Sequence, residues 1–390
     1  MQMKRPVVVI TKMSAWASYF QVFILGFYQL QKEGKISLRF RCDPLYRLSA
    51  ILPDNHTVQG IMRNVRIRVC DRSYNLEGYV LQPDGKKVTF AIDPADSPFL
   101  FDEEALRRVD VYFKMQCPAE ISNKGFRLTD EVYIPYSNHA ITPDGRTARS
   151  LINNIEAYAD KIKPLAIGFR MLSQGNSFKA LQRGYENYRK GARKDATKRC
   201  MSYFGNALGP TPKNVDADVD YNSESELMGV FGDKLSHPNL KRAEASRILN
   251  ELGEGFDGRV ISESVPGKGA VKHEELVVPI AEFCAHISDF QYNLNISGFR
   301  MSIPNRFMES FIVGTAIFTD KLAVKWYLPF DEEVVETVEM GYLPDSQVDW
   351  EQYKADLKAL PAVDKARLNE LYEKKWAPDR LAAYILQTCS

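Results

Sequence analysis

Residues 295–320 place an arginine and a glutamate behind a polar loop, at a spacing that suits a phosphorylated ligand. The loop from Gly298 to Asn305 leads into a helix that is predicted to begin at Arg306, and Glu309 follows one turn later. The first turn of a helix carries free N–H groups and a partial positive charge, and an arginine adds a planar set of donors. A carboxylate one turn away can accept hydroxyl groups. The pattern therefore predicts a site that holds a nucleotide-sugar.

The same stretch resembles the donor-binding segment of GT-B glycosyltransferases. Its run Arg-Phe-x-Glu-Ser, followed by Gly-Thr-Ala-Ile-Phe-Thr-Asp, is similar to the Arg/Lys–Phe–x–Glu helix, glycine and short apolar strand of exostosin-like and related bacterial enzymes. In that family the glutamate typically binds the nucleotide ribose, while the loop and helix start hold the diphosphate. The resemblance implies these roles for Glu309 and for Gly298, Ser302, Asn305 and Arg306. Arg300 is a further candidate for donor binding, although it could instead be a salt-bridge partner.

One departure from the family pattern concerns stereochemistry. The retaining branch carries two glutamates with seven residues between them, whereas Met301 and Ile317 occupy the two corresponding positions on either side of Glu309 here. The sequence therefore leaves open whether a transfer would invert or retain the sugar configuration.

Two more segments of the second half could contact the donor. Gly205 and Asn206 follow a predicted strand, Cys200–Phe204, and a glycine-bearing loop lets a phosphate or sugar approach the backbone. His237 and Arg242 lie at the start of a predicted helix, where cations could neutralise a leaving diphosphate without a metal. The same residues also fit an ordinary surface loop and helix start. We expect a metal-independent mechanism, because no Asp-x-Asp pair follows an apolar strand. We also expect no cofactor, because the glycine-rich motif that binds dinucleotides does not follow the first predicted strand.

The acceptor would bind to the first half if the family analogy holds. An inverting transfer needs a base that deprotonates the acceptor hydroxyl. The candidates are Asp93, Asp96 and His139, and Asp93 directly follows the predicted strand Val88–Ile92. The run Asp-Pro-Ala-Asp-Ser-Pro that contains both aspartates is equally well explained as turn chemistry.

The elements that must position these residues predict an α/β fold with two Rossmann-like domains facing a cleft. Val7–Ile10, a helix over Trp16–Lys32 and Ile36–Arg41 form a β-α-β start. The β-α theme returns in the second half, and an acidic helix is predicted over Asp331–Met340. We place an acceptor domain at residues 1–150 and a donor domain at 151–375. A C-terminal helix, 376–390, is expected to pack back on the first domain.

The composition is typical of a soluble globular protein, and the overall charge creates no positive potential that would attract nucleic acid. Of 390 residues, 45% are apolar and 26% charged, with a net charge of +1. Residues 141–200 hold 13 Lys/Arg against 5 Asp/Glu, a basic region that could face an anionic membrane surface or be a solvated helix face. The six cysteines show no metal spacing and no signal peptide opens the chain, so we expect a cytoplasmic protein, possibly at the inner face of the membrane.

The sequence thus predicts a glycosyltransferase that moves a sugar from a nucleotide-sugar donor to a glycan or lipid-linked acceptor in cell-surface polysaccharide synthesis. Two alternatives stay open at this point. One is a nucleotide-sugar epimerase on the same architecture, which would need no acceptor. The other is a non-catalytic carbohydrate-binding protein, which would have no affinity for nucleotides.

Overall fold

The structure is a computed structural model. It describes residues 5–13, 17–42, 44–51, 58, 61–62, 65, 75–127, 133–141, 147–173, 175–193, 199–207, 237–265, 269–276, 278–297, 302–337 and 348–390.

The strands in the described residues are β1 (Val7–Lys12), β2 (Ser37–Phe40), β3 (Leu76–Leu81), β4 (Lys87–Asp93), β5 (Leu100–Phe101), β6 (Val111–Lys114), β7 (Phe126–Arg127), β8 (Tyr133–Ile134), β9 (Ser137–Ile141), β10 (Thr147–Leu151), β11 (Ile162–Pro164), β12 (Arg199–Ala207), β13 (Phe256–Val265), β14 (Gly269–Lys272), β15 (Phe290–Asn295), β16 (Ala316–Asp320) and β17 (Val334–Thr337). The α-helices are α1 (Gln21–Lys32), α2 (Pro44–Ile51), α3 (Glu103–Arg108), α4 (Phe178–Ala192), α5 (His237–Leu252), α6 (Ile280–Ile287), α7 (Arg306–Ile312), α8 (Trp350–Ala359), α9 (Lys365–Lys375) and α10 (Pro378–Thr388). Short 3₁₀ turns occur at Ala17–Phe20, Ile155–Tyr158 and Glu274–Leu276.

The first large sheet has the strand order β11-β6-β4-β3-β1-β2. Its strands run parallel except β3, which is antiparallel to both of its neighbours. The buried β-branched residues of β1 suit a strand covered on both faces. A tight turn joins β3 to β4, and its Gly85 has a φ of 93°, a conformation that glycine adopts without a steric penalty.

The second large sheet has the order β14-β13-β12-β15-β16-β17. Five strands are parallel, and β14 is an antiparallel edge strand. The chain starts this sheet in the middle at β12, moves outward to β13, and then returns to the other side of β12 as β15. The carboxyl ends of β12 and β15 therefore flank a topological switch point, the place where open α/β sheets bind ligands.

One hydrophobic core passes through both halves of the chain. It contains residues of α1 and the first sheet together with residues of α4, α7 and α10, including Phe23, Phe113, Phe307 and Trp376. A second cluster covers the other face of the first sheet, and a third lies between the second sheet and helices α5 and α8. The protein is therefore a mixed α/β structure built around two sheets rich in parallel strands.

The C-terminal helix α10 packs against α1 and reaches the first sheet. Tyr384 lies edge-on to Phe113, with ring centroids 5.9 Å apart. Gly26 of α1 makes the close approach possible, because a Cβ there would overlap the carbonyl oxygen of Pro378. Among the described residues, no helix is long and apolar enough to cross a membrane.

Two sequence expectations about element limits need correction. The boundary at residue 150 is too early for the first sheet, because β11 continues it and pairs in parallel with β6. The acidic stretch from Asp331 to Glu333 has no helix, and Val334–Thr337 is strand β17, which pairs in parallel with β16. Residues 338–340 of the expected helix lie outside the described residues.

Candidate functional site

The carboxyl edge of the second sheet gathers charged side chains next to the switch point. Phe204 of β12, Ile296 just after β15 and Asp320 of β16 lie at the same level of the sheet, since Asn295 pairs with Thr319 and Ser202 with Asn293. Helix α7 begins beside this edge, where Arg306 donates to Phe204 of β12, and Glu309 lies one turn later on the helix, within reach of the Arg306 charge.

Glu309 is a buried carboxylate on α7, only 7% exposed. Its side chain accepts no hydrogen bond from any described residue. Burial raises its pKa from 4.5 to about 7, and the charge of Arg306 partly opposes this rise. On another side it lies near α6, where burial first and the Glu309 charge second raise the pKa of the Cys284 thiol. A buried carboxylate without a donor costs free energy, so Glu309 is a group that a ligand with hydroxyl donors would satisfy.

Arg306 links α7 to the second sheet. One of its Nη1 protons is donated to the carbonyl oxygen of Phe204, and its other N–H groups meet no acceptor among the described residues. Burial lowers its pKa from 12.5, and the positive charge of Arg242 acts in the same direction. Arg306 stays a cation with donors to spare, which is what recognition of a phosphate group requires.

Arg242 of α5 approaches the same edge from the opposite face of the sheet. Its Nε and Nη2 groups donate to the carbonyl oxygen of Ile296, at 3.3 and 3.1 Å. The guanidinium therefore fixes the end of β15, and its charge acts on both Arg306 and Asp320. The positive potential at this edge thus comes from two helices.

A buried aspartate and a buried lysine complete the charged group. Asp320 is 1% exposed and accepts hydrogen bonds from Ser297 N (3.0 Å) and Ser297 Oγ (2.9 Å). Burial raises its pKa to about 6 despite these bonds. Lys241 is 4% exposed, and burial lowers its pKa to about 8 while the Asp320 charge opposes the change. Sequence reasoning missed Asp320, although this residue is visible as a carboxylate at the end of the strand that follows the motif helix.

The strands at the switch point also carry polar atoms that are buried and lack a partner in the described residues. Four lie on β12 and β15: Ser202 Oγ, Tyr203 Oη, Asn293 Oδ1 and Asn295 Oδ1. Parallel strands buried on both faces are normally almost continuously apolar. Unpaired polar atoms are rare in protein interiors, and those in a native structure require an explanation such as water or a ligand.

The donor-binding residues expected from the sequence lie in different parts of the structure. Arg306 and Arg242 are brought together at the sheet edge, Glu309 lies close to Arg306, and Ser302 and Asn305 lie just before α7. Asn305 has helical backbone angles, and its side chain makes no capping hydrogen bond. Asn206 and His237 are described by their backbone alone, and Gly298 and Arg300 lie outside the described residues.

The sequence analysis expected Gly205 to lie in a loop, and this expectation is wrong. Strand β12 continues past Gly205 through Asn206 to Ala207. A Cβ at position 205 would overlap the ring of Tyr203, which is completely buried. Glycine at this position therefore makes room for that aromatic ring.

The expected acceptor-side residues do not form a cluster. Asp93 is 2% exposed and lies at the end of β4, where it forms a 2.9 Å ion pair with Lys114 of β6. It also accepts hydrogen bonds from Tyr112 Oη (2.7 Å) and Ala95 N (2.7 Å). A general base must reach the proton that it removes, and in this geometry Asp93 instead joins two strand ends. Asp96 is exposed, and His139 lies in β9 opposite Arg149, with its side chain not described.

The described residues contain no group of three or more His, Cys, Asp or Glu side chains that could hold a metal ion. A scan against models of protein families gave no match. A search of curated protein sequences gave no significant match either.

Proposed function

We propose that this protein is a glycosyltransferase that moves a sugar from a nucleotide-sugar donor to a glycan or lipid-linked acceptor, in cell-surface polysaccharide synthesis. The GT-B arrangement, with two Rossmann-like halves facing a cleft, is part of the proposal. Support comes from the position of Arg306 at the switch point of a sheet rich in parallel strands, with Glu309 close to it. The observation that carries it is the Glu309 carboxylate, which is buried and has no donor among the described residues.

The chemistry of the site suits the two ends of a nucleoside diphosphate. Glu309 would accept the two ribose hydroxyl groups, which supply the donors that the protein does not. Arg306 would donate to the phosphates, and Arg242 and Lys241 would add positive charge. This charge would stabilise the diphosphate as the bond to the sugar breaks, without a metal ion.

The acceptor would bind on the side of the first sheet. Because Asp93 is already paired, Asp96 is the more accessible of the two aspartates proposed as a base, and His139 is the other candidate. An enzyme that uses lipid-linked acceptors would work in the cytoplasm at the membrane surface. The excess of basic residues between 141 and 200 fits an anionic surface there.

The test compares the wild-type protein with Glu309→Gln, which keeps the shape of the side chain but removes its charge. Calorimetry with UDP, GDP and CMP should show binding of at least one nucleotide by the wild type. Hydrogen bonds to a charged group contribute about 1.5–3 kcal/mol, so Glu309→Gln should weaken binding roughly 10- to 100-fold. Glu282→Gln, at an exposed position on α6, is the matched control and should bind as the wild type does.

Activity with the corresponding nucleotide-sugars separates the possible functions. A glycosyltransferase consumes the donor faster when an acceptor glycan or lipid is added. Rearrangement of the sugar-nucleotide without an acceptor would indicate an epimerase instead. Glycan binding with no nucleotide binding would indicate a carbohydrate-binding protein and would refute the proposed function.

A further inference from the structure

The side chain of Gln116 joins the first sheet to the segment that precedes α7. Gln116 follows β6 closely, and both Gln116 and Ile303 are 1% exposed. Its Nε2 donates to the carbonyl oxygen of Ile303 at 2.8 Å, and its Oε1 accepts from Ile303 N at 2.9 Å. The amide therefore satisfies both backbone polar groups of one buried residue, 187 positions away in the chain.

The residues directly after Gln116 also contact the second half, and we call this row of contacts the seam. Lys325 N donates to the carbonyl oxygen of Cys117 at 2.8 Å, and Pro118 and Val324 form an antiparallel bridge. Lys325 Nζ donates to the carbonyl oxygen of Ala119 at 3.0 Å. The seam shows that the chain after β6 is held against the second half at several consecutive residues, of which Gln116 is the one whose partner, Ile303, lies in the segment before α7.

Ile303 stands three residues before Arg306 and six before Glu309. The segment is held from the other side by Arg306, which donates to Phe204 of the second sheet. The start of α7 is thus fixed at two points, by a residue of each half. Since α7 has only seven residues, a shift of Ile303 would be carried to Arg306 and Glu309 with little loss.

We propose that Gln116 is a positioning residue for the Arg306–Glu309 pair, through its two hydrogen bonds to Ile303. This inference deepens the proposed function, because it makes donor binding depend on a side chain of the first sheet. Gln116 itself does not contact the ligand in this proposal.

The experiment uses the full chain with Gln116→Met, which is close in size and removes both hydrogen bonds. Asn250→Leu is the matched control, because Asn250 makes the same pair of bonds to Gly258, at 2.8 and 2.9 Å, inside the second half. For each protein, three quantities are measured: the melting temperature, the dissociation constant of the nucleotide that the wild type binds, and the amide exchange rates of residues 302–309. We expect Gln116→Met to raise the dissociation constant roughly tenfold and to speed exchange in this segment, and Asn250→Leu to do neither.

A second variant, Gln116→Glu, gives a readout that a simple loss of stability would not produce. An ionised glutamate can accept from Ile303 N but cannot donate to Ile303 O, whereas the protonated acid can do both. The ratio of its dissociation constant to that of the wild type should therefore fall as the pH is lowered. This variant also carries the test if Gln116→Met does not fold.

The proposal is overturned if Gln116→Met melts at a lower temperature but keeps the wild-type dissociation constant, or if exchange at residues 302–309 does not change. If the wild type binds none of the nucleotides, the proposed function fails. The exchange comparison still decides in that case whether Gln116 fixes the segment.

Discussion

Replacing Glu309 by glutamine should change how the stability of the protein depends on pH. Burial raises the pKa of this carboxyl group from 4.5 to about 7, and the side chain is only 7% exposed. A pKa change of one unit corresponds to about 1.4 kcal/mol. Ionising Glu309 therefore costs about 3 kcal/mol more in the folded protein than in the unfolded chain.

The sign of the effect follows from the two protonation states. Below the pKa of the unfolded chain, 4.5, the carboxyl is protonated whether or not the protein is folded. Between 4.5 and about 7 the unfolded chain releases the proton and the folded protein keeps it, so the free energy of unfolding falls as the pH rises. Above about pH 7 both forms are ionised and the loss is complete. Glutamine is neutral throughout and lacks this decline.

Urea unfolding at about pH 5 and about pH 8 measures the difference. The stability of Glu309→Gln relative to the wild type should rise by about 2–3 kcal/mol between these two values. Comparing variant with wild type cancels the contribution of Asp320, whose raised pKa of about 6 acts in the same range. The exposed control Glu282→Gln should follow the wild-type curve. If Glu309→Gln also follows it, the carboxylate is solvated or paired in the folded protein, and the argument for an unsatisfied ligand group is wrong.

The same group predicts the pH dependence of ligand binding. Hydroxyl donors favour the ionised carboxylate and lower its pKa. Nucleotide affinity of the wild type should therefore rise with pH up to about 7, and binding near that pH should release a proton. Calorimetry in buffers with different ionisation enthalpies detects the released proton, and Glu309→Gln should release none. Proton release that is the same in both proteins would place the titrating group elsewhere.

Three further changes test the packing around the site. Lys114→Met leaves the buried Asp93 without its cation and should cost about 3–5 kcal/mol in urea unfolding; retention of stability with loss of activity would instead support a catalytic role for this pair. Gly26→Ala forces a Cβ into the backbone of α10 and should cost about 1–3 kcal/mol, and an unchanged melting temperature would show that the two helices are not in close contact. Gly205→Ala should destabilise by a similar amount, about 1–3 kcal/mol, and a stable variant with weaker nucleotide binding would restore the loop interpretation of this glycine.

The sequence predicted elements well where the pattern is local. The β-branched run of β1, the helix that ends before Gly34 and the strand that follows are visible as periodicity and turn chemistry, and they occur close to the expected positions. The prediction of an acidic helix over Asp331–Met340 was wrong at Val334–Thr337, a strand that begins with two consecutive valines. β-branched residues favour strands. Val334 and Val335 accordingly pair with β16 and form the edge strand of the second sheet.

Partners across the fold could not be predicted in the same way. Asp93 follows an apolar strand, as catalytic carboxylates often do, but parallel pairing of β4 and β6 places it directly opposite Lys114. That register depends on tertiary structure, so spacing in the sequence does not contain it. Gln116 and Ile303 illustrate the same limit, because a neutral amide that pairs with a distant backbone leaves no motif. The closeness of Arg306 and Glu309 was predictable, because one short helix carries both residues.

The two hydrogen-bonded contacts at the start of α7, Gln116 with Ile303 and Arg306 with Phe204, differ in how a ligand would affect them. Gln116 holds Ile303 through neutral hydrogen bonds in a site that is closed to solvent, and no ligand group can replace them without opening the seam. Arg306 holds Phe204 through a bond from a cation to a neutral carbonyl, and a phosphate is a stronger acceptor for the same donor. A bound diphosphate would first meet the Arg306 N–H groups that Phe204 does not use, and it would leave the Gln116 contact intact. We expect α7 to keep its place on the second sheet when the donor binds, because Ser310 of α7 also accepts a buried hydrogen bond from Asn293 of β15 at 2.9 Å.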